Sequence, residues 1–195
     1  MSQLSSVPNQ TPSRPFADVL AEMGKENVSY KDLLATNEWR VFRKTIIERD
    51  DYYCSKCGQS DTCWYNGTLL RFAKFYHDGK QEFPFELCRM VDKRYYLHAH
   101  HKHYILGRLP WEYSTDELTT LCNECHVQIH LDQVIQVYKQ IGEVLQPLNF
   151  TPCVKCKGVG EFPEYAHIES GVCFHCNGAR YYELIGHPES FWFKD

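Results

Sequence analysis

The sequence predicts an α+β fold: a small domain stapled by zinc and carrying an inserted segment, followed by a small zinc ribbon. Eight of the ten cysteines form four C-x-x-C pairs, a spacing at which two thiolates can share one tetrahedral ion. Residues 97–104 read L-H-A-H-H-K-H-Y, which places four histidines among apolar and aromatic residues that suit a strand. Helical patterns precede and follow this strand, so one domain is expected to contain both element types.

Composition indicates a packed globular protein, since 43% of the residues are hydrophobic and 14% are aromatic. The 195 residues suffice for one ordinary domain and a small one. We find no apolar run typical of a membrane span and no secretory leader, so we expect a soluble, cytoplasmic protein without a membrane partner. In such a reducing compartment, paired cysteines favour zinc over disulfides.

The net charge of −4 argues against a generally basic nucleic-acid binder, but the charges are unevenly spread. Residues 71–108 contain eight lysines and arginines against four acids. The segment that carries the histidines is therefore locally positive, as a surface facing phosphates would need. A mixed, solvated face is the alternative interpretation of the same charges.

The N-terminal part of the chain is predicted to be an extension, residues 1–35, in front of a main domain at residues 36–145. Residues 1–15 are rich in Ser, Pro, Gln and Asn and are expected to be mobile. Residues 16–23 predict a short amphipathic helix that packs onto the main domain.

A second helix is predicted over residues 38–48, with Asn37 as its N-cap. Its apolar side chains would face the core. Arg40, Arg43 and Lys44 form a basic face whose secondary role is contact with a phosphate backbone.

The first structural zinc site is predicted from two C-x-x-C pairs at opposite ends of the main domain. Its ligands are Cys54, Cys57, Cys122 and Cys125. One zinc ion would staple the start of the domain to its end, in a closed site with no coordination position open for chemistry. Residues 59–94 form the insertion, in which Asn66–Gly67 and Asp78–Gly79 predict turns. We expect this insertion to be either a hairpin or a helix followed by a hairpin.

The histidine strand supplies the candidate chemistry. Histidine is a common transition-metal ligand and a common general base near neutral pH, so the tandem His100–His101 can supply one of each. His126 and His130 lie one turn apart on a helix predicted to run to residue 141, so both project in the same direction. If residues 97–104 are considered without the neighbouring motifs, the alternative is a solvent-exposed polar strand whose histidines have no chemical role.

A second structural zinc site is predicted beyond a linker at residues 142–149. Its ligands are Cys153, Cys156, Cys173 and Cys176. Two C-x-x-C-x-G hairpins can clamp one zinc ion between them, which gives a ribbon over residues 150–182. Residues 183–195 form an aromatic tail that we expect to pack against the protein.

The motifs C-x-x-C-G, A-H-H and L-C-x-x-C-H-x-x-I-H follow one another within residues 39–138, and this ordered set resembles the HNH endonucleases, the ββα-metal nucleases. The resemblance implies a ββα-metal domain that hydrolyses DNA with a divalent ion (Mg, Mn, Ni or Zn). It implies that His100 and His126 bind the metal and that His101 is the general base. It leaves His130 as an additional ligand or a supporting residue.

One position departs from the family's pattern. The family's middle asparagine lies nine residues before the helix histidine, where this chain has Glu117. A carboxylate there can accept the same hydrogen bond from an imidazole or hold metal, so Glu117 joins the candidate catalytic set; it also fits the N3 position of a capping box that begins at Ser114. The predicted nucleic-acid contacts are Arg40, Arg43, Lys44, Lys102 and Arg108.

The second module resembles half of the cysteine-rich zinc region of DnaJ. Residues 153–160 match its C-x-x-C-x-G-x-G repeat fully, and residues 173–178 match it in part. This implies a small zinc ribbon that binds nucleic acid or protein, or that acts as a structural cap. We therefore expect a metal-dependent DNA endonuclease, of a class found in phage and defence systems, that makes nicks or double-strand cuts. The alternative is a non-catalytic zinc-binding adaptor for nucleic acid or a larger protein complex.

Overall fold

The protein's structure, a computed structural model, describes residues 13–65, 67–72, 88–162, 165, 168, 171–186 and 192–193. The first twelve residues of the predicted extension and the predicted turn at residues 78–79 lie outside the described residues. The α-helices are α1 Phe16–Met23, α2 Tyr30–Leu34, α3 Asn37–Arg49 and α4 Asn123–Asp132. The strands are β1 Thr62–Tyr65, β2 Thr68–Phe72, β3 Cys88–Met90, β4 Leu97–His101, β5 Tyr104–Ile105, β6 Leu118–Cys122, β7 Val137–Ile141 and β8 Val144–Leu148. The predicted mixture of helices and strands is confirmed.

The strands form three small sheets. In the first, β2 pairs antiparallel with both β1 and β3, so the hairpin predicted in the insertion is confirmed. In the second, β4 pairs antiparallel with β6 and places His100 opposite Thr119. In the third, β7 pairs parallel with β5 and antiparallel with β8. Within the described part of the chain, no helix is both long enough and apolar enough to cross a membrane.

Helix α3 begins one residue earlier than predicted, because Thr36 rather than Asn37 caps it. The Thr36 hydroxyl accepts a hydrogen bond from the backbone N–H of Trp39 at 3.3 Å and so satisfies one of the helix's unpaired donors. Trp39 and Ile46 are buried, and they pack with side chains of β4 and β6. This helix therefore supports the hairpin from the side opposite α4.

The hairpin of β4 and β6 is followed at once by α4, and these three elements position the histidines. Leu97 lies opposite Cys122 in the register, and Cys122 is also the N-cap residue of α4. Side chains alternate between the two faces of a strand. On β4 this alternation directs His98 and His100 toward α4, whereas His101 meets Trp39 on α3.

Helix α4 ends at Asp132, well before the predicted end at residue 141, so that part of the prediction is wrong. The chain becomes extended at Gln133 and forms β7, and it then turns at Gly142, where φ is 60°, into β8. The predicted linker at residues 142–149 is therefore mostly the second strand of a hairpin. The physical reason is that the β-branched residues of this segment favour a strand, and that β5 offers β7 a parallel partner.

The N-terminal helices, the segment predicted to be a zinc ribbon and the C-terminal tail share one hydrophobic core. Val28 and Leu33 are buried there together with Tyr181 of the ribbon segment. The predicted packing of the aromatic tail is confirmed for Trp192, which is 3% exposed and stacks on Tyr30 with ring centroids 4.5 Å apart. The two ends of the chain thus hold the ribbon against the rest of the protein.

Truncation of Trp192 to alanine is expected to lower the free energy of unfolding by about 3–5 kcal/mol, because it removes a large buried ring. Urea unfolding followed by circular dichroism measures this change. Val154→Ala is the control, because Val154 is 53% exposed on the ribbon and its truncation should change stability by less than about 0.5 kcal/mol. Equal stability of the two variants would contradict the packing of the tail.

Candidate metal centres

The first cysteine cluster joins the turn at residues 54–58 to the junction of β6 and α4. Its members are Cys54, Cys57, Cys122 and Cys125, and their sulfur atoms lie within 4.8 Å of one another. The Sγ atoms of Cys57 and Cys122 are 3.7 Å apart. Zn–S bonds of about 2.3 Å in a tetrahedron give sulfur separations of about 3.8 Å. The predicted quartet is therefore assembled, and it could hold a structural zinc ion.

The environment of Cys54 favours the thiolate. Burial opposes ionisation of this sulfur, but hydrogen bonds from the backbone of Cys122, Cys57 and Lys56 outweigh it and lower the pKa of Cys54 to about 7. The thiolate is the form of cysteine that binds metal. Backbone hydrogen bonds thus favour metal ligation by Cys54.

The second cysteine cluster is formed by two C-x-x-C turns that share the same backbone conformation. Its buried members are Cys153, Cys156, Cys173 and Cys176. The Sγ atoms of Cys156 and Cys176 are 3.7 Å apart, and those of Cys153 and Cys173 are 3.9 Å apart. After each C-x-x-C pair the chain turns through a left-handed residue, Lys157 with φ of 53° and Asn177 with φ of 49°. This second predicted quartet is also assembled, and it could hold a second structural zinc ion.

A third cluster, the three-histidine cluster, lies between β4 and α4. It consists of His100 from β4 and of His126 and His130 from one side of α4. One ring nitrogen of each lies within 4.8 Å of the other two, and the ring centroids are 5.0 to 5.1 Å apart. Both ring nitrogens of His100 and Nε2 of His130 are buried without a hydrogen-bond partner among the described residues. A buried polar atom without a partner costs about 1–3 kcal/mol, so the arrangement favours a bound ligand.

Burial keeps the three-histidine cluster neutral. Desolvation lowers the pKa of His100 to about 3 and that of His130 to about 2, and it places the pKa of His126 well below its ordinary value. The nearby positive charge of Arg180 contributes in the same direction. Neutral imidazole is the form that ligates metal. Three imidazoles suit a divalent transition metal and leave coordination positions for water and substrate.

His98 lies beside the three-histidine cluster, although the sequence motifs do not single it out. Its ring stacks on that of His126, with centroids 4.6 Å apart and an interplanar angle of 6°. Its Nε2 atom is buried and has no hydrogen-bond partner in the part of the chain that the structure describes. The period of two along a strand puts His98 on the same face as His100, and that spacing is the signal that finds it.

His101, the predicted general base, lies on the opposite face of β4 from the three-histidine cluster. It is 1% exposed; its ring stacks on Trp39 with centroids 5.4 Å apart and meets Tyr113 edge-on at 4.6 Å. Its Nε2 atom lies 2.9 Å from the carbonyl oxygen of Pro110. Because a carbonyl only accepts, Nε2 carries the proton and the lone pair of the neutral ring is on Nδ1. Burial lowers the pKa of His101 to about 3.

Glu117 contacts His103 rather than His101 or the three-histidine cluster. Its Oε1 atom lies 3.0 Å from Nε2 of His103 and 3.5 Å from Nη1 of Arg108. Its Oε2 atom accepts a hydrogen bond from the backbone N–H of Ser114 at 2.7 Å, so the predicted capping box is confirmed. The structure does not bring this carboxylate to the candidate metal site.

A cavity of about 730 Å³ opens beside the histidines, between α2, α3, β4 and the zinc ribbon. Its charged lining residues are Lys31, Arg40, Arg43, Glu161 and Arg180, which amounts to four cations and one acid. The histidines that line it are His98, His100, His101 and His126. Although the whole chain is acidic, this lining is positive and suits an anion.

Two of the five predicted nucleic-acid contacts line this cavity. Arg40 is exposed at its wall, and the guanidinium of Arg43 donates a hydrogen bond to the carbonyl of Leu97. The other three make contacts outside it: Lys44 with Glu48, Lys102 with the carbonyl of Asp116, and Arg108 with Glu117. Only Arg40 and Arg43 of the predicted basic residues therefore line the cavity beside the histidines.

Comparison with known proteins gives no match: no protein-family model fits the chain, and no curated protein or solved structure matches it significantly. The chemistry of the sites is therefore the basis for assigning a function.

Proposed function

We propose that the protein is an HNH-type endonuclease that uses a divalent metal to hydrolyse phosphodiester bonds in DNA, by nicking or by double-strand cleavage. The observation that carries this proposal is the three-histidine cluster. One ligand comes from the first strand of a hairpin and two come from the helix that follows its second strand. This order of elements and imidazoles is what the resemblance to ββα-metal nucleases leads us to expect.

The surroundings of the cluster support a phosphodiester substrate. The adjoining cavity is lined mainly by cationic side chains, and the DNA backbone carries one negative charge per phosphate. The first cysteine cluster lies where α4 begins, so a zinc ion there would fix this helix against the hairpin. Both cysteine clusters are assigned structural roles in this proposal.

Each histidine has a defined part in the proposed reaction. His100, His126 and His130 would hold the divalent ion, which would supply stabilisation of the negative charge that develops on the scissile phosphate. The side chain of His101 accepts a proton from water at Nδ1. The water oxygen attacks phosphorus in line, the bond from phosphorus to the leaving oxygen breaks, and solvent protonates that oxygen.

The hydrogen bond to Pro110 assigns His101 the tautomer that this role needs. It keeps the proton on Nε2, so Nδ1 retains a free lone pair in the neutral ring. A phosphate bound nearby would raise the pKa of His101 from its low value, because an anion favours the protonated ring. The role also requires that bound substrate and water reach His101 through the cavity that it lines.

A non-catalytic adaptor that binds nucleic acid or a larger protein complex is the second candidate. The burial of His101 favours it, because a base that is 1% exposed has little contact with water. The buried ring nitrogens of His100 and His130, which have no hydrogen-bond partner among the described residues, favour the nuclease. An adaptor has no need for three neutral imidazoles around a common centre.

Conversion of supercoiled plasmid by the purified protein tests the proposal. With Mg, Mn, Ni or Zn, we expect the wild type to produce nicked or linear DNA and His126→Ala to be at least about 100-fold slower, since it loses a metal ligand. His103→Ala is the matched control, because it removes a histidine that pairs with Glu117 outside the cluster. A wild type that binds this DNA in a gel shift but cuts it with none of the metals would support the adaptor instead.

A further inference from the structure

We propose that Arg180 of the zinc ribbon binds the phosphate group that the three-histidine cluster acts upon, so that the ribbon completes the active site. This inference rests on the proposed function and names the residue that would hold its substrate's anionic group. It assigns the second zinc module a task beyond capping the fold.

The guanidinium of Arg180 is fixed in the cavity wall and has unused donors. The side chain is 4% exposed, Nε donates to the carbonyl of Gly158 at 3.1 Å, and Nη2 donates to the hydroxyl of Tyr104. The group also lies 4.7 Å from the ring centroid of Tyr30 and 4.3 Å from that of Tyr104. Nη1 is buried, and within the described ranges it has no hydrogen-bond partner. A planar fork with one free nitrogen is suited to an oxygen of phosphate.

Arg180 lines the same cavity as two members of the three-histidine cluster, His100 and His126. It also adjoins the third member, because its Nε donates to the carbonyl of Gly158 and a Cβ atom built on Gly158 would lie 3.9 Å from Nδ1 of His130. A divalent ion on the rings would add further positive charge to the same cavity. Glu161 is the acid among the described lining residues, and burial raises its pKa despite the attraction of Arg180. An anion bound between the metal site and Arg180 would balance the excess positive charge of the cavity.

The two C-x-x-C hairpins of the ribbon form an internal repeat, and comparison of them indicates that zinc binding alone does not require an arginine at position 180. Residues 156–160 read C-K-G-V-G and residues 176–180 read C-N-G-A-R, so Arg180 takes the place that Gly160 has in the first hairpin. Both residues adopt the left-handed conformation, with φ of 88° for Gly160 and 74° for Arg180. A side chain strains that conformation at a cost in stability, whereas glycine adopts it freely. A binding role for the guanidinium accounts for this cost.

Arg180 also helps to hold the ribbon in place through Tyr30 and Tyr104, so the test needs a readout that packing alone would not change. We choose binding of inorganic phosphate to the full-length protein that carries zinc in the cysteine clusters and Co²⁺ in the three-histidine cluster. The visible absorption of Co²⁺ responds to a new ligand or neighbour at the site. Metal content and thermal melting are recorded for every variant before phosphate is added.

Three variants make the comparison specific. Arg180→Gly restores the glycine of the repeat, and Arg180→Lys keeps the charge but loses the planar fork. Lys155→Gln is the matched control, because it removes an exposed cation of the same ribbon that does not line the cavity. We expect phosphate affinity to fall by about tenfold or more in Arg180→Gly, to fall less in Arg180→Lys and to stay unchanged in Lys155→Gln.

Each outcome separates this inference from the proposed nuclease function. Equal phosphate affinity in the wild type, Arg180→Gly and Arg180→Lys would overturn the role of Arg180, even if the wild type cuts plasmid. A wild type whose Co²⁺ spectrum does not respond to phosphate would overturn it as well. Weaker phosphate binding in both variants would support Arg180 as the anion-binding residue, even if the wild type leaves plasmid uncut and the nuclease proposal fails. If Arg180→Gly does not fold, the comparison of Arg180→Lys with the wild type decides.

Discussion

Replacement of His101 by alanine is expected to lower the rate of DNA cleavage by about 10²–10⁴-fold, the usual contribution of a general base. The three-histidine cluster is untouched by this change, so binding of the divalent metal should persist. Single-turnover cleavage of a labelled duplex, together with metal content, measures both quantities. Because His101 is buried between Trp39 and Tyr113, the variant should also be less stable than the wild type.

Two further variants separate proton transfer from packing. His101→Gln keeps a side-chain N–H that can donate to the carbonyl of Pro110 but has no group that titrates, so it should be as inactive as His101→Ala. Tyr113→Phe disturbs the same packing and removes the hydrogen bond from the N–H of Ile105, yet it should keep most of the activity. Activity of His101→Gln near that of the wild type would show that His101 has a structural role only.

Replacement of Cys122 by serine is expected to unfold the domain that carries the histidines. Cys122 is 1% exposed, ends β6 and is the N-cap residue of α4, and it belongs to the first cysteine cluster. A structural zinc site contributes on the order of 10 kcal/mol to folding, which is comparable to the whole net stability of an ordinary domain. Zinc content should fall from two ions per chain to one, and the helical signal in circular dichroism should decrease.

Ser55→Ala is the control for this loss. Ser55 lies within the same C-x-x-C turn, and its exposed hydroxyl accepts a hydrogen bond from Thr119 at 3.1 Å. Its removal should change the free energy of unfolding by no more than about 0.5 kcal/mol. A Cys122→Ser protein that keeps two zinc ions and melts with the wild type would exclude the first cysteine cluster as a structural zinc site.

The sequence predicts correctly those features that depend on a few neighbouring residues, namely the metal-ligand pairs and the ends of a helix. Two cysteines must be close in sequence to share an ion from one turn, and two histidines four residues apart must project from the same side of a helix. Both cysteine clusters and the trio of His100, His126 and His130 are accordingly brought together. Helix α1 has its predicted bounds, since Pro15 precedes it and Gly24 follows it.

The features that local patterns do not determine depend on partners far away in the chain. The pleat of β4 separates His100 from His101, which are neighbours in sequence, and α3 supplies the packing that buries His101. Strand β7 replaces the predicted end of α4 because it pairs with β5. Arg180 meets Tyr104 across 76 residues of sequence, a contact that no short motif encodes. The cavity between the ribbon and the histidines could therefore not be predicted from the motifs alone.

Titration of plasmid cleavage against added divalent metal tests the central claim most directly, using protein whose two cysteine clusters have first been loaded with zinc. We predict that the cleavage rate rises with added metal and reaches a plateau at one equivalent per chain, and that His126→Ala shows no rise. Such a result would place the reaction at a single site built on the three-histidine cluster. Cleavage that is absent at every ratio of metal to protein, or that proceeds equally well in His126→Ala, would contradict the claim.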